Sequence, residues 1–245
     1  MTESARYGWT VLLPVKVLAQ AKSRLAQLAG DRRHELALAL ASDTVSAVVA
    51  CPEVARVIVV TSDPVAGPRL SSLGALIIPE APPVAPDGDA RDARGPADGG
   101  RPNPDGSQRP LNTALLRGAT VAAGRWPGTG LAALTADLPA LRPAELAVAL
   151  RAAAVTAGPS GAAFVPDAAG VGTTMYAVVP GGKFQPMYGG ASRARHAAGG
   201  ATELALDGIA GLRQDVDTPD DLRAAVALGV GPRTAEVAAE LLADA

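Results

Sequence analysis

Short apolar runs alternate with helix-forming stretches along most of the chain, and that alternation constrains the fold more than any other feature. Residues 9–15 (WTVLLPV), 56–61 (RVIVVT), 75–78 (ALII), 131–134 (LAAL), 162–165 (AAFV) and 174–179 (TMYAVV) read as buried strands. Between them, 31–49 reads as a helix capped by Asp31, with Leu36 and Leu40 one turn apart on its inner face. Residues 112–123 read as another helix, and Pro143 opens a third at a first-turn position that suits proline. Residues 212–216 read as a last strand running into Thr218, the N-cap of a helix that begins at Pro219 and carries Asp220 and Asp221 in its first turn. Strand and helix alternating almost throughout give an α/β fold, a mostly parallel mixed sheet covered by helices.

One stretch breaks the rhythm. Residues 81–110 (APPVAPDGDARDARGPADGGRPNPDGSQRP) are built mostly of Pro, Gly, Asp and Arg, with Val84 the one large aliphatic residue. Such a segment buries too little apolar surface to offset its ordering entropy. It reads as a flexible surface insertion in a single domain spanning 1–245, because the same alternation continues on both sides.

Composition removes several classes of function. Aromatic residues make up 3% and the net charge is −2 with no basic block, which argues against a nucleic-acid partner. One cysteine, Cys51, and two histidines, His34 and His196, are too few for a thiolate or imidazole zinc site. A metal here is expected to be a hard cation on carboxylates. No run reaches the ~20 apolar residues of a membrane span, and Glu3 and Arg6 do not fit a signal-peptide layout, so a cytoplasmic location is expected. Homo-oligomerisation is left open.

The chemistry concentrates at strand ends. The first strand delivers Lys16, followed by Lys22, Ser23 and Arg24, to the carboxyl edge of the sheet, where open α/β sheets bind ligands and where cations match phosphates. The strand at 131–134 delivers Asp137, a carboxylate placed to bind Mg²⁺ together with phosphate oxygens and water. Asp215 and Asp217, two apart, share a face if the last strand continues through them. Gly172-Thr173-Thr174 and Gly189-Gly190-Ala191-Ser192 supply backbone amides, the second at the start of a short helix (SRARHAA), for an anionic second substrate. His196 within that helix reads as structural. Asn112 and Asp63 are candidates for reading a base. Cations facing carboxylates suit a nucleoside triphosphate, and an acceptor that is itself a phosphate needs alignment and charge neutralisation rather than a general base.

These residues resemble a known family. Pro14-Val15-Lys16 with Ala21-Lys22-Ser23-Arg24-Leu25, then Leu111-Asn112, Ala136-Asp137-Leu138-Pro139, Gly172-Thr173-Thr174 and Asp215-Val216-Asp217-Thr218-Pro219 are similar, in the same order, to the motifs of the CofC/FbiD guanylyltransferases of deazaflavin coenzyme F-420 biosynthesis. The G-x-G-x-R signature found after the first strand in other members of that fold is replaced by PVKVLAQAKSRL, which points to this branch. The resemblance implies a nucleotidyltransferase fold of the glycosyltransferase-A type. It implies GTP and a small phosphorylated three-carbon acid as substrates, with Mg²⁺ as cofactor. Pro14, Lys16, Lys22, Ser23, Arg24 and Asn112 would bind the nucleotide, with Lys16, Lys22 and Arg24 neutralising charge in catalysis. Thr173, Thr174, Gly189 and Ser192 would bind the acceptor, although the family's F-G-P-G-S loop reads Tyr188-Gly189-Gly190-Ala191-Ser192 here. Asp137 would hold the metal with Asp215 or Asp217, the choice between those two staying open. The acceptor is 2-phospho-L-lactate in archaeal members and phosphoenolpyruvate in actinobacterial ones; an Ala- and Arg-rich composition favours phosphoenolpyruvate. The competing readings are another nucleotidyltransferase of the same fold, using CTP or UTP with a sugar-phosphate or molybdopterin acceptor, and a non-catalytic nucleotide-binding module.

Overall fold

The computed structural model describes residues 8–18, 25–80 and 109–243. Lys22, Ser23, Arg24 and positions 81–108 of the expected insertion lie outside the described residues. The chain order is β1 (Trp9–Pro14), α1 (Ala26–Ala29), a 3₁₀ turn (Gly30–Arg32), α2 (Arg33–Val49), β2 (Val54–Val60), α3 (Ala66–Ser71), β3 (Leu76–Ile78), α4 (Arg109–Arg125) and β4 (Gly130–Leu134). There follow α5 (Pro143–Thr156), β5 (Ala162–Pro166), β6 (Thr173–Val178), α6 (Ser192–Ala198), β7 (Thr202–Glu203), α7 (Ala210–Arg213), α8 (Pro219–Leu228) and α9 (Pro232–Ala243).

Among the described residues one seven-stranded sheet forms in the order β3-β2-β1-β4-β6-β5-β7. β1 pairs in parallel with β2 and β4, β2 with β3, and β5 with β7, while β6 runs antiparallel to both β4 and β5. The chain leaves β1 toward β2 and β3 on one side and later resumes at β4 on the other. The crevice above the carboxyl ends of β1 and β4 is thus a topological switch point. Because β6 is reversed, its amino end (Thr173) opens onto that same crevice, and Thr135 N donates to Thr174 O at 3.1 Å across the seam.

Both faces of the sheet are covered, which explains the unbroken apolar runs. Val11, Leu13, Val57 and Val59 pack with α2, α3 and α5, whereas Leu12, Ile58, Val60 and Ala133 pack with Ala114, Leu115, Ala119 and Ala122 of α4. Burying each large side chain of β1 contributes roughly 1.5–3 kcal/mol before entropy is counted. No helix among the described residues is long and apolar enough to cross a membrane. Cys51 is buried.

Four sequence expectations change. Asp31 sits in the 3₁₀ turn, and Arg32 takes the N-cap position of α2 with no side-chain cap bond. Leu36 and Leu40 are fully buried, but against Val237, Ala238 and Leu241 of α9; Ala37, Ala41, Val45 and Val48 face the sheet. α2 is therefore buried between the sheet on one side and α9 on the other, and Asp43, 4% exposed within it, accepts from Thr234 N at 2.7 Å at the start of α9. Residues 212–216 form no strand. Instead α7 ends at Arg213 and an irregular segment follows, with Leu212 of the helix and Val216 of the segment both fully buried. The helix expected from Asn112 begins earlier, at Arg109, so the end of the presumed insertion is helical.

Candidate active site

The crevice at the switch point encloses a cavity of about 400 Å³, within the range of small-ligand pockets. Four chain segments meet there, each fixed by identifiable backbone bonds.

The first is the end of β1. Pro14 and Val15 are buried and line the cavity, Val15 N donates to Val60 O at 3.0 Å, and Lys16 emerges exposed at the rim. Just beyond, Leu18 N donates to Asp63 Oδ2 at 2.8 Å, while Asp63 Oδ1 accepts from Val65 N and Ala66 N. Burial would raise the Asp63 carboxyl pKa, but these backbone donors outweigh it and hold the group below its ordinary range. Asp63 thus anchors the start of the cationic loop.

The second segment is the loop after β4. Thr135, Ala136 and Asp137 line the cavity. The loop is pinned from below: Leu138 is fully buried, and its N–H donates to Thr44 Oγ1 at 2.9 Å. The third segment arrives from α7. Val216 N donates to Asp137 O at 3.1 Å, so the buried Val216 is stitched to Asp137, and the flanking Asp215 and Asp217 both line the same cavity as Asp137. Both aspartates reach the cavity although the strand on which their shared face was to rest does not form. Thr218 then caps α8: its Oγ1 accepts from Asp221 N, and Asp221 Oδ2 accepts from Thr218 N and Asp217 N.

The fourth segment combines β6 with the 187–192 loop. Thr173, Gly189, Gly190 and Ser192 line the cavity. Gly189 and Gly190 have φ of +106° and +36°, conformations that a side chain would strain. Asn112 does not line the cavity: Tyr188 N donates to its Oδ1 at 2.9 Å and its Nδ2 donates to Tyr188 O at 3.2 Å. Its carboxamide clamps this loop. Thr174 is buried and also stands outside the lining. Nor does α6 offer a free N-terminus, since Ser192 N donates to Gly190 O and Arg193 N to Val171 O. Arg195 donates from its guanidinium to Met187 O and Gly189 O, adding a further tie.

The sequence reading missed Asp167, a fourth carboxylate on the cavity wall. Its two oxygens accept from Val171 N and Gly172 N at 2.8 and 2.7 Å, closing the β5–β6 turn. The available signal was Asp followed by a Gly-rich tract (DAAGVG), an Asx-turn pattern.

His196 is structural, as expected. It is fully buried, Nε2 lies 2.9 Å from Met187 N, and Nδ1 lies 3.0 Å from Thr173 Oγ1. Burial, with the Arg195 charge beside it, pushes the imidazole pKa down to about 4. Between the unfolded value near 6.5 and 4, the unfolded chain binds a proton that the native chain refuses. The stabilisation is therefore complete above pH 6.5 and is lost as pH falls through 4, on the order of 3 kcal/mol from this group. Urea midpoints measured from pH 7.5 to 4.5 should fall, and His196→Asn should flatten the dependence; an equal slope in the variant would assign the loss to other groups.

No family model matches the chain. One solved structure, described as a nucleotide-diphospho-sugar transferase from Desulfovibrio desulfuricans G20, superimposes with a TM-score of 0.51 at 12% identity, covering 90% of this chain and 96% of that one. This supports the nucleotidyltransferase-type fold. Curated relatives are much nearer in sequence. The phosphoenolpyruvate guanylyltransferase of Thermomonospora curvata is 51% identical over 240 residues, 98% of this chain and 92% of the relative. That of Streptomyces coelicolor is 52% identical over 235 residues, 96% and 97% of the two chains. That of Frankia casuarinae is 43% identical over 236 residues. Half of all positions are shared with the first two across nearly their full lengths, well beyond a common fold, and the chain belongs to the phosphoenolpyruvate guanylyltransferase (CofC) family of nucleotidyltransferases.

Proposed function

We propose that this enzyme transfers the guanylyl group of GTP to phosphoenolpyruvate, releasing pyrophosphate, as a cytoplasmic step of deazaflavin coenzyme F-420 assembly. The observation that carries the reading is the division of one crevice into three chemically distinct walls. Lys16 stands at one rim, Asp137, Asp215 and Asp217 on a second wall, and Thr173, Gly189 and Ser192 on a third.

In the reaction, a phosphate oxygen of the acceptor forms a bond to the α-phosphorus of GTP. The bond from that phosphorus to the β-bridging oxygen breaks, and its electron pair leaves with pyrophosphate. The acceptor oxygen is already ionised near neutral pH, so the side chains have to align and neutralise rather than remove a proton. Lys16 would meet the triphosphate, and by family resemblance Lys22 and Arg24 would join it. The hydroxyls of Thr173 and Ser192, with the turn at Gly189, would hold the phosphate and carboxylate of the acceptor.

Asp137, with Asp215 or Asp217, would hold Mg²⁺. Among the described residues no group of three or more His, Cys, Asp or Glu is arranged to hold a metal by itself. That donor set suits Mg²⁺, which takes one or two protein carboxylates and completes its shell with phosphate oxygens and water. When bound, the ion would supply positive charge at the phosphates.

The test is pyrophosphate release with each nucleoside triphosphate, offered phosphoenolpyruvate or 2-phospho-L-lactate. The two acceptors share their anions and differ in shape at the middle carbon, a difference for which ~1–3 kcal/mol is a reasonable ceiling. GTP with phosphoenolpyruvate should give the highest kcat/KM, and 2-phospho-L-lactate about 10-fold less or lower still. Turnover with CTP alone, or with a sugar phosphate alone, would defeat the proposal.

A further inference from the structure

His196 plays no part in the chemistry above, yet it bridges two walls of the acceptor side. Its ring stacks on Tyr176 with centroids 4.6 Å apart, and Tyr188 meets it edge-on at 5.4 Å. The Met187 amide, 2.9 Å from Nε2, can only donate, so Nε2 presents a lone pair. A neutral imidazole with a bare Nε2 carries its proton on Nδ1. That proton points at Thr173 Oγ1, 3.0 Å away, which must accept it. Among the described residues Thr173 Oγ1 has no other hydrogen-bond partner, and Thr173 lines the cavity.

We infer that His196 is a positioning residue: through Nδ1–H it fixes the Thr173 hydroxyl as a hydrogen-bond donor toward an anionic group in the cavity, a role that rests on reading this wall as the acceptor site. A backbone amide thus sets the polarity of a hydroxyl two hydrogen bonds away. An unconstrained hydroxyl can turn either its lone pairs or its hydrogen toward a ligand; one that already accepts from the ring turns its hydrogen outward. The neutral ring that this requires is consistent with its surroundings. Burial and Arg195 on α6 disfavour the imidazolium, and the facing phenols of Tyr176 on β6 and Tyr188 on the loop are themselves pushed up by burial and stay uncharged. Phe164 closes the remaining side without charge.

Two conservative substitutions separate the ring's two bonds. His196→Asn keeps a donor near the Nδ1 position and gives up the Met187 bond, whereas His196→Gln keeps an acceptor near Nε2 and gives up the Thr173 bond. In steady-state pyrophosphate release, His196→Gln and Thr173→Val should each raise the KM for phosphoenolpyruvate about 10-fold or more, a loss expected of one hydrogen bond to a charged group. Thr173→Ser and His196→Asn should stay within about twofold of the parent, and the KM for GTP should hardly change in any variant. The double variant His196→Gln/Thr173→Val should be no worse than Thr173→Val alone. Equal damage from Asn and Gln, or multiplied effects in the double variant, would overturn the inference. A second readout needs no substrate: nitrogen-detected NMR of the free protein should find His196 protonated at Nδ1 and bare at Nε2. The opposite tautomer refutes the inference. The stated tautomer in an enzyme that does not use phosphoenolpyruvate upholds the hydroxyl's polarity and refutes the acceptor reading instead.

Discussion

Replacing Asp137 by Asn should lower turnover on the order of 10²-fold or more while leaving the fold in place, because the substitution removes a charge and keeps the side chain's size. The loop that presents Asp137 is held by its backbone and its neighbours. Leu138 N donates to the buried Thr44 hydroxyl, Asp137 O accepts from Val216 N, and Leu138 fills the core. These contacts are made by the backbone and by Leu138, so they remain when Asn takes the position. The variant lacks the carboxylate that would share a metal ion with the phosphates, a deficit worth several kcal/mol of transition-state stabilisation. Turnover at saturating Mg²⁺, together with calorimetric titration of Mg²⁺ and GTP into the variant, reads this directly. Near-normal turnover would remove Asp137 from the metal role and leave that role to Asp215 and Asp217.

Asp137 and Lys16 were legible in the sequence because each follows an unbroken apolar run, and a run buried on both faces can only end at a sheet edge. Thr173 was legible for the related reason that a Gly-Thr-Thr step opens a strand. The Asp215/Asp217 segment was half legible. Leu212 and Val216 lie four apart, and both are fully buried, so an apolar pattern was present; nothing local indicated that a four-residue helix and an irregular segment would produce it. Its shape is set by a distant bond, Val216 N to Asp137 O. The clamp made by Asn112 was not legible for the same reason. Its partner, the backbone of Tyr188, is 76 residues away, and a lone Asn on a helix does not announce a backbone clamp. Asp43 did leave a trace. A carboxylate in the buried run ASDTV needs partners, and the start of α9 supplies them.

The same dependence on distant backbone predicts that Gly211→Ala should be among the most damaging single-methyl changes available in this chain. Gly211 is buried in α7, and a Cβ there would drive into the Ala140 carbonyl, lying 2.8 Å from its carbon and 2.6 Å from Glu145 Oε2. None of these atoms is free to yield. Ala140 closes the loop that begins at Asp137, and Glu145 is committed at both ends, accepting from Gly211 N at 3.2 Å and from Arg142 N at 3.3 Å. Overpacking usually costs 1–3 kcal/mol, and a clash with fixed backbone belongs at or above the top of that range, about 3 kcal/mol or more. For a chain of this size that corresponds to a midpoint roughly 6–12 °C lower. Gly124→Ala is the control: Gly124 is an exposed residue of α4 where an added Cβ meets nothing within 4 Å, so the change should be neutral or slightly stabilising. The damage at Gly211 should reach function as well. Relief requires either α7 or the 137–141 loop to move, and those two segments carry Asp215, Asp217 and Asp137 to the cavity. Below its melting range, the folded variant should therefore turn over more slowly than the parent. A Gly211→Ala enzyme that melts with the parent and keeps its rate would mean that α7 can slide on the loop without disturbing the carboxylates, and the rigid seam between them would not exist.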